Sequence, residues 1–134
     1  MNTIQVKKYD LPDSYLFENQ VDNISVKIWI PEHICIILGR SNNPTDSLLV
    51  ENIASDNIPV YKRPSGGDTV ILTPNTIVTS IALKQSNFKG GKSYFKKIND
   101  NIINALTEVG IKDLKFRGIS DIAIHDMKIL GSAL

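Results

Sequence analysis

Along the chain, apolar residues recur at two spacings. In "SVKIWI" (25–30) they alternate with polar ones before Pro31, and in "ICIILG" (34–39) they run unbroken up to a glycine. Both patterns predict strands, the second more deeply buried. "RSNNPTDS" (40–47) is dense in turn formers, and "SLLVENIASDN" (47–57) then places Leu48, Leu49, Asn52 and Ile53 at helical spacing. A short helix capped by Asp46 or Ser47 is predicted there. After Pro59, "VYKR" and "DTVIL" read as strand pieces around a glycine pair, and the β-branched run "TIVTSIALK" (76–84) predicts a buried strand. The clearest helix is "SYFKKINDNIINALTEVG" (93–110), with Tyr94, Phe95, Ile98, Ile102, Ile103, Leu106 and Val109 on one stripe, Ser93 as its cap and Gly110 at its end. "DLKF" and "DIAI" follow as short strands, and "HDM" predicts a tight hairpin that presents Lys128. Strands before, between and after helices, without regular alternation, predict an α+β fold rather than a doubly wound one.

Composition narrows the class. The chain has 134 residues, 42% of them hydrophobic and 22% charged, with a net charge of +1. That describes a single globular domain, neither disordered nor membrane-spanning, and less basic than a general nucleic-acid binder. The N-terminal stretch lacks the apolar core and small-residue cleavage site of a secretory leader, so a cytoplasmic protein with neither membrane nor nucleic-acid partners is expected. A single cysteine, Cys35, excludes an internal disulfide framework, and His33 and His125 are too few for a zinc-type cluster.

Candidate chemistry begins at "RPSGGDTVIL" (63–72). Glycines without a Cβ let backbone N–H groups approach a ligand closely, and such concave backbone binds anions, phosphate above all. Lys62 and Arg63 add charge, and an arginine fork suits phosphate oxygens. The alternative is an ordinary glycine-containing hairpin with exposed cations. A Walker loop is excluded, because no Gly-Lys-Ser/Thr follows.

A second constellation lies in "RGISDIAIHDMKILGSAL" (117–134), which sets Asp121 on one strand and Lys128 on the next, ahead of "GSA". Gly39-Arg40 with Asn43-Pro44, then Lys62-Arg63-Pro64-Ser65-Gly66-Gly67-Asp68-Thr69-Val70, then Ser120-Asp121, then Lys128-Ile129-Leu130-Gly131-Ser132-Ala133 stand in this order. Together they resemble the motifs of the lipoate–protein ligase family, within the biotin and lipoate ligase superfamily, over roughly residues 26 to 134. The resemblance implies a catalytic domain with a mixed, largely antiparallel sheet and flanking helices. It also implies ATP, magnesium and lipoate as cofactors and substrate. Lipoate and ATP would give lipoyl-adenylate and pyrophosphate, and the acyl group would pass to a lysine of a lipoyl carrier domain of a 2-oxoacid dehydrogenase or glycine cleavage protein.

Carried over by position, Arg63 would contact phosphate or the mixed anhydride. Ser65, Gly66, Gly67, Asp68, Thr69, Val70 and Ile71 would line the nucleotide and acyl pocket. Lys128 would be the catalytic ammonium, neutralising charge on the anhydride oxygens. Asp121 would be a magnesium ligand or a carboxylate just behind one. The pattern departs from the family's at Asp68, where a third glycine is usual, at Lys62 and Ser120, and at Leu72-Thr73-Pro74, where "H-D" is common. The long N-terminal helix is reduced to "DSYLFENQ" or absent, and the chain stops at Leu134 where family members continue. A single domain, 1–134, incomplete at its C-terminus and calling for a complementing ligase subunit, is therefore expected. Two other functions stay open: a non-catalytic relative that binds lipoyl-adenylate or a lipoyl domain, and an octanoyl or lipoyl transferase working through a cysteine thioester. Cys35, in an apolar run, suits the last poorly, because burial raises a thiol's pKa.

Overall fold

The computed structural model describes residues 3–18 and 23–134 and divides into two compact units, Met1–Ser86 and Asn87–Leu134. In chain order the first holds β1 (Val6–Lys8), α1 (Tyr15–Glu18), β2 (Ile24–Trp29), β3 (Cys35–Leu38), α2 (Pro44–Ser47), α3 (Val50–Ser55), β4 (Val60–Lys62), β5 (Val70–Leu72) and β6 (Val78–Leu83). The second holds α4 (Gly91–Glu108), β7 (Leu114–Arg117), β8 (Asp121–Ile124) and β9 (Met127–Leu130). The fold is α+β, with one mixed and two antiparallel sheets.

The unbroken apolar run becomes β3, buried along its whole length inside a four-stranded sheet of order β1-β4-β3-β5. Successive side chains of a strand point to opposite faces, so an unbroken run serves a strand covered on both. On one face Ile36 and Leu38 pack with Val60, Ile4, Leu48, Ile53 and Ile58; on the other, Cys35 and Ile37 pack with Tyr9, Leu11, Tyr61 and Leu72. β4 runs parallel to β3, and β5 runs antiparallel along its other side.

β2 and β6 form a separate antiparallel pair, from Ile24 opposite Leu83 to Trp29 opposite Val78. The alternation in β2 is present, but the apolar side is the exposed one: Ile24, Val26 and Ile28 are 60%, 50% and 62% accessible, while Trp29 is buried. β6, expected to be buried, is half-buried, because β2 is its only strand partner among the described residues. A polar hub joins this pair to the N-terminal segment. Asp13, 1% exposed, accepts from the Tyr9 hydroxyl at 2.8 Å and from the Ser80 hydroxyl. Burial first, then the bond to Asp13, pushes the Tyr9 phenol well above its ordinary range.

The single helix expected over 47–57 is instead α2 and α3, and neither Asp46 nor Ser47 is a cap. Asn43 occupies the first N-cap position and Pro44 opens the helix, because its fixed φ and missing N–H suit a first turn. Leu49 occupies the second N-cap position.

In the second unit α4 starts ahead of Ser93, at an N-cap position held by Gly90 (φ 92°). Ser93 donates to the Gly90 carbonyl at 3.0 Å, closing the turn without capping an N–H. The end is as expected. Gly110, at φ 95°, donates to Thr107 and Ile111 donates to Leu106, the paired bonds of a Schellman stop. Tyr94, Phe95, Ile98, Ile102, Ile103 and Leu106 are half-buried, whereas Val109 is exposed. The sheet β7-β8-β9 buries Ile122 and Ala123, and its second hairpin turns at His125, held at φ 53°. The shortened N-terminal helix is confined, among the described residues, to α1; Asn19 and Gln20 lie outside them.

Candidate active site

The glycine segment is not a hairpin. Because β4 and β5 flank β3 on opposite sides, residues 63–69 cross over the C-terminal end of β3, above Gly39 and Arg40. The hairpin alternative is thereby excluded.

Four successive carbonyls of the crossing, those of Ser65 to Asp68, are turned toward the protein. That of Ser65 accepts from the Arg40 N–H at 2.9 Å. Gly66 O accepts from Arg63 Nε at 3.1 Å and Nη2 at 2.7 Å, and Asp68 O accepts from Nη2 at 2.8 Å. The Gly67 carbonyl lies against Gly39 so closely that a Cβ there would fall inside contact distance of its oxygen and 2.6 Å from Asn42 Oδ1. In a trans peptide the next residue's N–H points opposite to the carbonyl. The N–H groups of Gly66, Gly67, Asp68 and Thr69 are therefore turned away from these partners, and among the described residues none finds an acceptor. Thr69 Oγ1 is buried without a partner, as is Trp29 Nε1 in the neighbouring sheet. An unsatisfied buried hydroxyl costs about 1–3 kcal/mol, so a row of free N–H groups beside one suits an acceptor-rich ligand.

Of the expected pocket residues, Ser65 and Gly66 are half-buried, Gly67 adopts φ 89°, and Val70 and Ile71 are 42% and 64% exposed. Asp68 keeps an ordinary backbone, since positive φ at non-glycine residues is confined, among the described residues, to Asn57, Asp113 and His125. Its side chain is exposed. A residue with a Cβ is thus accommodated at the third loop position without strain. Lys62 Nζ donates to the Asn42 carbonyl at 3.2 Å, and Asn42 Oδ1 accepts from the Gly39 N–H at 2.9 Å, so the Gly-Arg turn and the loop brace each other. Arg63 is 8% exposed, and burial lowers its guanidinium from the ordinary value, with Asp68 acting the other way. Burial raises the Cys35 thiol.

The second constellation lies within the other unit. Lys128 Nζ pairs with Asp121 Oδ2 at 2.9 Å, and Ser120 Oγ stands 3.4 Å from Asp121 Oδ1. The lysine stem folds over Gly131: a Cβ there would stand 2.9 Å from both Cε and Nζ of Lys128. Asp121 is thus engaged by an ammonium, and among the described residues no group of three His, Cys, Asp or Glu side chains could hold a metal ion. A single carboxylate of this kind could serve a magnesium only together with the phosphate oxygens of a bound nucleotide.

Sequence reasoning missed Asn99. It lies on the apolar stripe of α4, is fully buried, donates from Nδ2 to the Ser120 carbonyl at 3.1 Å, and stands 3.4 Å through Oδ1 from the Ser132 hydroxyl. It ties the residue before Asp121 to the segment after Lys128. A polar residue among isoleucines at helical spacing was the available signal. Asn99→Ala is expected to destabilise the protein by about 1–3 kcal/mol, read as a lowered urea midpoint, because the Ser120 carbonyl is left without its donor.

The sequence model of the lipoyl protein ligase A/B catalytic domain matches residues 12–134. The chain belongs to this family. It is 26% identical over 107 residues to the octanoyltransferase of Prochlorococcus marinus (78% of this chain, 45% of that protein). It is 33% identical over 100 residues to lipoate-protein ligase A of Psychrobacter cryohalolentis (73% of this chain, 27% of that protein). The chain therefore spans less than half the length of these relatives. Its fold is that of the bi-partite lipoate protein ligase of Thermoplasma acidophilum, solved with its E2 lipoyl domain, at a TM-score of 0.80 and 15% identity, covering 98% of this chain and 55% of that one. Other structures with this fold hold ATP or lipoate. Among the described residues, no helix is long and apolar enough to cross a membrane.

Proposed function

We propose that the chain provides the adenylate-handling part of a lipoate–protein ligase, acting in the cytoplasm on lipoyl carrier domains. The observation that carries this reading is the crossing loop. Its unpartnered N–H groups beside the orphan Thr69 hydroxyl offer donors to a phosphate or an acyl-phosphate anhydride, and its exposed Val70 and Ile71 offer apolar contact to an acyl chain. ATP and lipoate would enter as substrates, with magnesium arriving on the nucleotide.

In this reading Ser65, Gly66, Gly67, Asp68 and Thr69 bind the phosphate and ribose side of the adenylate through the backbone. Lys128 Nζ would leave Asp121 and neutralise the negative charge that grows on the anhydride oxygens, first as pyrophosphate departs and again as the carrier lysine attacks. Asp121 would hold that ammonium in place between turnovers. The two units together would be parts of one catalytic domain, as the span of the family match supports. The bi-partite ligase of the same fold favours a complementing polypeptide for the complete reaction.

The second reading, acyl transfer through a cysteine thioester, draws on the similarity to an octanoyltransferase. Cys35 opposes it, being 4% exposed with its thiol pKa raised by burial, so that little thiolate forms near neutral pH. Cys35→Ser is expected to leave lipoylation of a carrier domain within about threefold of the parent, while omission of ATP abolishes it. Pyrophosphate release and carrier mass, followed together, check both. ATP-independent transfer lost in Cys35→Ser would reverse the assignment.

A further inference from the structure

Resting on the reading that residues 65–69 hold the phosphates, we propose that Arg63 is a positioning residue that builds the loop and does not itself reach the ligand. A charged group taken out of water must find hydrogen-bond partners. Arg63 finds them in the main chain. Nε and Nη2 fork onto Gly66 O, Nη2 also serves Asp68 O, and Nη1 stands 3.4 Å from Ile37 O on β3. Its own N–H donates to the Leu38 carbonyl at 3.0 Å, which anchors the residue at the end of the strand that the loop crosses.

Peptide planarity gives this arrangement its consequence. With the Gly66 and Asp68 carbonyls drawn onto the guanidinium, the N–H groups of Gly67 and Thr69 must face the opposite way. The guanidinium thus sets the direction of the donors that meet the anion, acting from behind them. A lysine cannot reproduce this, since a single ammonium on a flexible stem lacks the planar fork that serves two carbonyls at fixed spacing.

The test separates scaffold from contact by working first without ligand. In the full chain, amide hydrogen exchange is followed at Arg40, whose N–H donates to the Ser65 carbonyl, with the β3 amides as the reference for an intact fold. Arg63→Ala is expected to speed exchange at Arg40 by about tenfold or more while β3 stays protected, and Arg63→Lys to do nearly the same. Should Arg63→Ala unfold the protein, Arg63→Gln, which keeps one amide donor, takes its place. Titration with ATP then follows, and both variants are expected to bind at least tenfold more weakly than the parent. Unchanged exchange at Arg40 together with lost ATP affinity, retained by Arg63→Lys, would overturn the proposal in favour of direct contact. Faster exchange in variants of a parent that binds no ATP would leave the scaffold role standing and count against the phosphate reading instead.

Discussion

Lys128→Ala is expected to lower the rate of carrier lipoylation by roughly two to three orders of magnitude, the scale seen when one preorganised charge-stabilising donor is removed. Stability should barely change. The Lys128 side chain is half exposed, and exposed ion pairs such as the one with Asp121 contribute about 0–1 kcal/mol. Lys128→Arg should rescue little, because a guanidinium is a planar fork where the site presents room for a point charge folded over a glycine. Gly131→Ala tests the same geometry from the other side. Its Cβ would stand 2.9 Å from Nζ, so the flexible lysine end must move, and activity should fall without an accompanying loss of fold. Single-turnover kinetics beside a urea melt check both quantities. A large loss of stability in Lys128→Ala would mark the lysine as a structural member of the hairpin instead.

Gly39→Ala is expected to have the second-largest effect, and here stability and binding should fall together. A Cβ at this buried position would overlap the Gly67 carbonyl oxygen, stand 3.0 Å from the Gly67 carbonyl carbon and 2.6 Å from Asn42 Oδ1. Two of these neighbours are main chain and cannot swing aside. Overpacking of this kind costs about 1–3 kcal/mol. It would also lift the crossing loop from β3, breaking the bond from Arg40 to Ser65 and turning the free N–H groups out of line. A lowered melting temperature with weakened ATP binding is the expected pair of results. Full ATP affinity in a stable Gly39→Ala protein would show that the loop and the Gly-Arg turn do not depend on each other.

How much of this was legible in the sequence depended on how local the cause was. β3 and α4 declare themselves, one through an unbroken apolar run and the other through a stripe closed by Gly110. β1 does not, because the exposed "VKK" has no periodicity and becomes a strand only by lying parallel to β4. The division into α2 and α3 was hidden for a similar reason: apolar spacing over 47–57 carried more weight than Asn43-Pro44, although the proline opens the first helix. In β2 the alternation was readable but not its direction, since nothing local says that Trp29 faces inward while Val26 and Ile28 face out.

The candidate site divides along the same line. Order and identity of the motif residues could be read directly. The loop's passage over β3 could not, because it follows from β4 and β5 pairing with opposite sides of a third strand. Nor could the inward use of Arg63, which depends on three carbonyls brought to one guanidinium. Asp68 stands where a third glycine is usual in the family. It is harmless to the backbone, since Gly67 takes the positive φ and the aspartate side chain is exposed.

Calorimetric titration of the full chain with a non-hydrolysable lipoyl-adenylate analogue tests the proposed function most directly. Micromolar binding that Lys128→Ala weakens by about tenfold or more, equivalent to losing a charged hydrogen bond of about 1.5–3 kcal/mol, is the predicted result. Absence of binding by a folded parent protein, or binding indifferent to Lys128, would contradict it.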